Sequence, residues 1–193
     1  MIARDHGIDH LGFGKQVSVS RRLSQRISEG DGIAIIVRVS DVESARAAQE
    51  QGAKALGVEQ AIDGIRDACS LPLLWLAATA PVDADAVAQR TNGAEDHELE
   101  TVMEVRDEDE LETALETHGP EIFLISPRDG GPIDVLELAL ELLPDVPAGK
   151  LAIADVDVGD REEVLRLERA GFDAVLVSPG HIGALVGQAL PDV

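Results

Sequence analysis

The sequence has little of what most readily signals a function. Its 193 residues include one cysteine, one tryptophan, three phenylalanines and no tyrosine. A single cysteine excludes an internal disulfide framework and any multi-cysteine metal site. So few aromatics leave little material for stacking on a flat ring. Lysine is scarce too, with only Lys15, Lys54 and Lys150 beside 13 arginines. Basic residues number 16 against 37 acidic ones, a formal charge of −21. That charge disfavours nucleic acid, because phosphates are repelled rather than neutralised. It disfavours an anionic membrane surface for the same reason. No apolar run approaches the ~18 residues of a spanning helix, and Met1 to His6 lacks the apolar core of a signal peptide. The expectation is a soluble, cytoplasmic protein.

What is present suits a folded domain. Hydrophobic residues make up 45% of the chain, enough for a real core at this length. The acidity has two readings: a solvated surface that favours solubility, or adaptation to high salt.

Residues 1–31 read as a lead-in, glycine-rich and polar, with a short helix from about Arg21 to Glu29. Residues 32–193 alternate between two patterns. Short runs that are apolar on both faces read as buried parallel strands: Ile33 to Val37, Ala55 to Val58, Leu71 to Leu76, Thr101 to Val105, Ile122 to Ile125, Leu151 to Ala154 and Ala174 to Val177. Between them lie amphipathic helical stretches, the first capped by Ser40-Asp41. Gly52, Gly119 and Gly171 each stop a helix two linking residues before a strand. Repeated βα units of this kind build a closed barrel or an open doubly wound sheet. No glycine-rich dinucleotide fingerprint and no GxxxxGK[ST] loop follows any strand, so no cofactor is expected.

The order of these units resembles the indole-3-glycerol phosphate synthase family, a (β/α)8 barrel of tryptophan biosynthesis. The family's VEVH strand and acidic helix correspond to Met103-Glu104-Val105-Arg106 and the residues up to Leu111. Its INNR strand end corresponds to Ile125-Ser126-Pro127-Arg128, its SESGI turn to Ala154-Asp155-Val156-Asp157-Val158, and its DAVLVGE strand to Asp173 through Pro179. Upstream, Ile33 to Arg38 falls where the family's first strand ends in EIK. Gly52 to Val58 is similar to its second strand, and Ile65 to Leu74 to the approach to its third. The resemblance implies that Glu104, Asp155 and Arg38 stand at catalytic positions. It also implies that Arg128, with Ser178 and Gly180 at the last βα turn, could hold an anion. Each has a plainer reading. Glu104 could be a salt-bridged strand residue, Arg128 a solvated turn residue, Ser178 a helix cap, and Asp155 or Asp157 a cap for the helix near Arg161.

The departures from the family set the functional expectation. Family members close a ring onto a carbonyl carbon, then lose carbon dioxide and water, using a third-strand lysine as general acid. Leu76 occupies that place here. Arg38 replaces the first-strand lysine and Ile36 its glutamate, and arginine is a poor proton donor. Asp157 stands where a phosphate cradle is expected and repels a dianion. The expectation is a diverged relative that does not retain the full ring-closure and decarboxylation activity. It is either a non-catalytic scaffold or regulator, or a carbon–carbon lyase for a different small anionic metabolite.

Only 26 residues separate Leu76 from Met103, fewer than the ~30 of one βα unit. One helix, about Asp83 to Arg90, fits there. The architecture expected is a shortened, open or rearranged barrel with seven family-like strands, an eighth being available only from Gln16 to Val19. Open strand edges would favour a homo-oligomer. No metal site is expected. His6 and His10 have helical ligand spacing, but Gly7 argues against the helix. Asp155 to Asp160 fails as a calcium loop, because its glycine is early and Arg166 stands where a bidentate glutamate is needed. His181 near the last turn is an isolated histidine. Cys69 and Trp75 read as core.

Overall fold

The computed structural model describes residues 22–79, 83–93, 98–128, 134–180 and 182–186. The short helix α1 (Arg22–Ser28) precedes strand β1 (Ala34–Arg38). Then follow α2 (Val42–Glu50), β2 (Ala55–Val58), α3 (Ile65–Ala68), β3 (Leu73–Trp75), β4 (Ala86–Arg90) and β5 (Glu100–Val105). The chain continues through α4 (Glu108–Thr117), β6 (Ile122–Ile125), α5 (Val135–Leu142), β7 (Leu151–Asp155), α6 (Arg161–Ala170), β8 (Ala174–Val177) and α7 (Ile182–Val186). The eight strands pair in chain order, all parallel, and β8 closes onto β1.

The barrel stands, but the count of seven strands does not. Residues 86–90 form a strand rather than the expected helix. Their composition favours a helix, with a single β-branched residue among Ala, Gln and Arg. Pairing overrides it: Leu74 and Trp75 align with Ala86 and Val87 on one side, and Glu100 to Glu104 with Ala86 to Arg90 on the other. The ring is therefore complete without Gln16 to Val19, which lie outside the described residues, as do His6, His10 and His181. A closed ring has no strand edges, so the ground for expecting an oligomer is gone.

What is shortened is the helical jacket. Among the described residues no helix lies between β3 and β4, and only a 3-10 turn, Thr91–Gly93, follows β4. α3 is four residues long. Buried polar groups hold this thin sector together. Asp85, 7% exposed, accepts hydrogen bonds from Arg22 Nη1 at 2.9 Å and the Leu73 amide at 2.9 Å, and pairs with Arg66 Nη1 at 2.8 Å.

Alternation along each strand builds two apolar layers. Ala34, Ile36, Leu74, Ala86, Val102, Ile122, Leu124, Ile153 and Leu176 fill the barrel interior, and Leu23 and Ile27 of α1 close its floor. Glu100 reaches up from that floor, and its Oε2 accepts the amides of Leu23 and Ser24, both at 3.1 Å. A carboxylate is favoured there by the unpaired N–H groups and dipole of the first helical turn. The outer residues, including Val37, Val58, Trp75, Met103, Phe123 and Val175, form the second core with the helices and loops outside the ring.

Part of the acidic surplus serves the helices locally. Asp41, Asp107, Asp134 and Asp160 cap α2, α4, α5 and α6, each accepting a backbone amide of the first turn. The Ser44 amide holds the Asp41 carboxyl below its ordinary value. Because Asp160 caps α6, neither Asp155 nor Asp157 does so. At the other end, Gly171 takes φ 111° and its amide and that of Phe172 both reach the Leu167 carbonyl, the expected glycine stop.

Candidate functional site at the C-terminal mouth of the barrel

Parallel strands point their C-terminal ends the same way, so β1, β4, β5, β6 and β7 deliver their last inward side chains to one face. In barrels of this class that face carries the chemistry. Arg38 ends β1 and Asp155 ends β7. They meet in an ion pair, Arg38 Nη2 to Asp155 Oδ1 at 2.7 Å. Ser126, just past β6, donates its hydroxyl to the other oxygen, Asp155 Oδ2, at 3.0 Å. Glu59 lies 3.8 Å from Arg38 Nε.

The second group gathers over β4, β5 and β6. Glu104 is held by Arg106, whose Nε and Nη2 both donate to Glu104 Oε1 at 2.8 and 2.6 Å. Glu110, in the first turn of α4, pairs through Oε1 with Arg90 from β4 and with Arg128 from the loop after β6. Its Oε2 accepts the Arg106 amide at 3.1 Å. Glu110 thus ties three neighbouring strand ends together. Among the described residues no hydrogen bond joins this group to the Arg38–Asp155 pair.

Four arginines (38, 90, 106 and 128) therefore meet four carboxylates (59, 104, 110 and 155) around the mouth. Their formal charges cancel, and each guanidinium already has a carboxylate partner. Arg128 is 61% exposed. Ser178 and Gly180 are exposed ahead of α7, and the Gly180 carbonyl accepts the Ile182 amide.

Beside β2 the inner wall near the mouth is apolar. Leu76 follows β3 and turns inward beside Leu176 of β8. A Cβ built on Gly57 would lie 2.9 Å from Leu76 Cδ1 and 3.0 Å from Leu176 Cδ1. Glycine at 57 therefore makes the room that these two leucines fill. The described lysines sit at the opposite end: Lys54 and Lys150 immediately precede β2 and β7, and Lys150 Nζ pairs with Glu121 at 2.9 Å. Among the described residues no group of three or more His, Cys, Asp or Glu is arranged to hold a metal ion. No helix of the described residues is long and apolar enough to cross a membrane.

Of the residues singled out from sequence, the fold joins Arg38 to Asp155. It places Glu104 and Arg128 in the second group, linked through Arg106 and Glu110, and leaves the Ser178–Gly180 turn apart from both. Arg90, Arg106, Glu110 and Ser126 were missed as partners. Arg106 was readable, since it lies two residues from Glu104 and so on the same strand face. Arg90 was hidden by the helical reading of its segment. Cys69 is buried as expected, its Sγ 3.1 Å from Gln49 Oε1.

The strand order and this mouth define a (β/α)8-type barrel whose polar side chains converge on the face used for chemistry. Comparison narrows the class. A family model for indole-3-glycerol phosphate synthase matches residues 73–184, more than half of the chain. The chain belongs to the indole-3-glycerol phosphate synthase family. It is 35% identical over 80 residues to indole-3-glycerol phosphate synthase of Campylobacter fetus subsp. fetus, covering 41% of this chain and 31% of that protein. With that of Acidithiobacillus ferrooxidans the identity is 29% over 142 residues, covering 63% of this chain and 54% of the relative. The chain thus spans 31% to 54% of the length of these curated relatives. Among solved structures, N-acetylmannosamine-6-phosphate 2-epimerase from Clostridium perfringens superposes with a TM-score of 0.61 at 16% identity, over 89% of this chain and 93% of that one. That likeness concerns the fold alone.

Proposed function

We propose that this chain keeps the family's barrel as a scaffold and does not perform the family's ring closure and decarboxylation. It acts instead as a non-catalytic or regulatory relative. The observation that carries this reading is Leu76. At the place of the family's third-strand lysine it offers no proton, and it packs over Gly57 beside Leu176. Ring closure onto a carbonyl needs an acid within hydrogen-bond reach of the carbonyl oxygen. Arginine at position 38 does not supply one, because a guanidinium is a poor proton donor. The paired charges of the mouth add to this. A dianionic phosphate must displace a carboxylate from each arginine it engages, at a cost in desolvation and lost pairing. On this reading the protein stands outside the catalytic step of tryptophan biosynthesis, in the cytoplasm.

A second reading has its own support. The Arg38–Asp155–Ser126 cluster presents a guanidinium, a carboxylate and a hydroxyl together at the chemistry face. A lyase acting on a different, smaller anionic metabolite could use that cluster, with Asp155 as acid/base and Arg38 as anion holder.

Titration of indole-3-glycerol phosphate into the full chain, followed by calorimetry, tests the first reading. No saturable heat is expected at micromolar to low-millimolar ligand. Tight, stoichiometric binding would overturn the part of it that has the paired charges of the mouth keep out a phosphate, and turnover of the family's substrate would overturn the whole.

A further inference from the structure

Strand β1 ends on a guanidinium that is held on one side and open on the other. Arg38 donates through Nη2 to Asp155 Oδ1 at 2.7 Å. Asp155 is 15% exposed, and both its oxygens are engaged, because Oδ2 takes the Ser126 hydroxyl at 3.0 Å. Asp155 and Ser126 thus fix the direction of Arg38 from behind. Arg38 Nη1 is not buried and has no partner among the described residues. Glu59, at 3.8 Å from Arg38 Nε, is too far for a hydrogen bond. With 31% of its side chain exposed, Arg38 keeps donors free for a ligand.

The next two strands bring Glu59 and Leu76 to the same edge of the mouth. Arg38 is in register with Gly57, and inward positions recur every second residue, so Glu59 stands one layer above Gly57 on the inner face. Glu59 makes no hydrogen bond among the described residues. Leu76 is half-buried, and its amide donates to the Val58 carbonyl at 2.8 Å, which seats it beside β2. Open N–H groups, an open carboxylate and an aliphatic wall therefore share one neighbourhood. Charge decides what they hold. With Asp155 and the exposed, unpartnered Asp157 two residues beyond it, one guanidinium faces three carboxylates. A phosphate dianion adds negative charge to that edge and offers nothing to Glu59. A simple cation suits Glu59 and is repelled by Arg38.

We propose that this edge of the mouth binds a zwitterion, an α-amino acid with a small aliphatic side chain. Its carboxylate takes the open N–H groups of Arg38 without displacing Asp155, a charge-assisted bond to a guanidinium already held in place. Its ammonium donates to Glu59. One carbon atom separates the two head groups, which suits opposite charges 3.8 Å apart. Its side chain rests on Leu76. The ligand adds no net charge, so it avoids the repulsion that meets a dianion. The proposal rests on the reading that the paired charges of the mouth keep out a phosphate, and it gives a regulatory relative a ligand to which it responds.

The test titrates L-valine into the isotope-labelled full chain at fixed ionic strength and follows the backbone amides by NMR. Saturable shifts are expected at Val39, Glu59 and Val156, at the ends of β1, β2 and β7. Two half-ligands serve as controls: 3-methylbutanoate, which lacks the ammonium, and isobutylamine, which lacks the carboxylate. Each is expected to bind about tenfold more weakly or worse. Glu59→Gln, at an exposed position with no hydrogen bond to break, is expected to weaken valine about fivefold and not to weaken 3-methylbutanoate. No saturable valine shift at these amides, a half-ligand that binds as tightly, or unchanged valine affinity in Glu59→Gln would each overturn the proposal. Inorganic phosphate is titrated in parallel and is expected to leave these amides unmoved. Saturation by phosphate would overturn the reading of the mouth together with the proposal, whereas failure of valine with phosphate inert overturns the proposal alone.

Discussion

Asp85 is predicted to be the residue on which the thinned sector of the barrel depends, and the structure supplies the size of the effect. With no helix between β3 and β4 among the described residues, one buried carboxylate joins α1, the β3 backbone, Arg66 and the start of β4. Asp85→Ala leaves the Leu73 amide without its charged acceptor inside the protein, a loss of about 2 kcal/mol. Arg66, 25% exposed, loses a partner that solvent only partly replaces, for about 1 kcal/mol more. Arg22 is 49% exposed and adds a few tenths of a kcal/mol at most, roughly the worth of a solvated pair. The sum, about 3 kcal/mol, is a large part of the roughly 5–15 kcal/mol that holds a domain folded. At about 2–4 °C per kcal/mol for a chain of this size, the melting temperature should fall by about 6–12 °C. Asp85→Asn keeps an acceptor for Leu73 but loses the charge, and should cost about 1–2 kcal/mol. Urea unfolding followed by Trp75 emission measures both, since Trp75 lies on β3 beside the bond in question. A loss below about 1 kcal/mol for Asp85→Ala, or equal losses for both variants, would show that the sector does not depend on this carboxylate.

Further outcomes follow from the same structure. Glu100→Gln should weaken the anchoring of α1 by about 1 kcal/mol, seen as faster hydrogen exchange at the Leu23 and Ser24 amides with other amides unchanged. Gly57→Ala should destabilise the barrel by about 1–3 kcal/mol through overpacking against Leu76 and Leu176, and combining it with Leu76→Ala should give much less than the sum of the two losses in a double-mutant cycle. The Asp41 carboxyl, lowered by its Ser44 hydrogen bond, contributes stability above the unfolded-state pKa and loses it as pH falls through the folded value; the Ser44 amide shift should therefore titrate with a midpoint below that of an unstructured aspartate. If the acidic surface reflects salt adaptation, the melting temperature should climb steadily from low to molar sodium chloride, and an unchanged value would dismiss that reading.

The fold was legible wherever one signal dominated locally. β-branched runs such as Ile33 to Val37 and Ile122 to Ile125 admit few alternatives to a buried strand, and Asp41 or Gly171 mark helix ends by chemistry that acts within a few residues. β4 was not legible, because nothing inside Ala86 to Arg90 requires a strand. Its conformation comes from β3 and β5 on either side. The same nonlocality limited the reading of the mouth. The family pattern put Arg38, Asp155 and Glu104 at C-terminal ends of strands, where the structure has them, but strand order decides who pairs with whom. Arg38 meets Asp155 across 117 positions of sequence because β8 lies between β1 and β7 and both ends project inward. Arg90 faces the Glu104 register position only once residues 86–90 are a strand. Leu76 could be named from the motif; that it packs over Gly57 beside Leu176 could not.

On the proposed function the mouth, with Leu76 packed over Gly57 and its arginines paired, does not carry out the family reaction. The most direct measurement is turnover of the family's carboxyphenylamino deoxyribulose phosphate by the full chain, followed by the appearance of the indole chromophore. No indole-3-glycerol phosphate is expected above the uncatalysed background. Sustained turnover that is abolished by Glu104→Gln would contradict it.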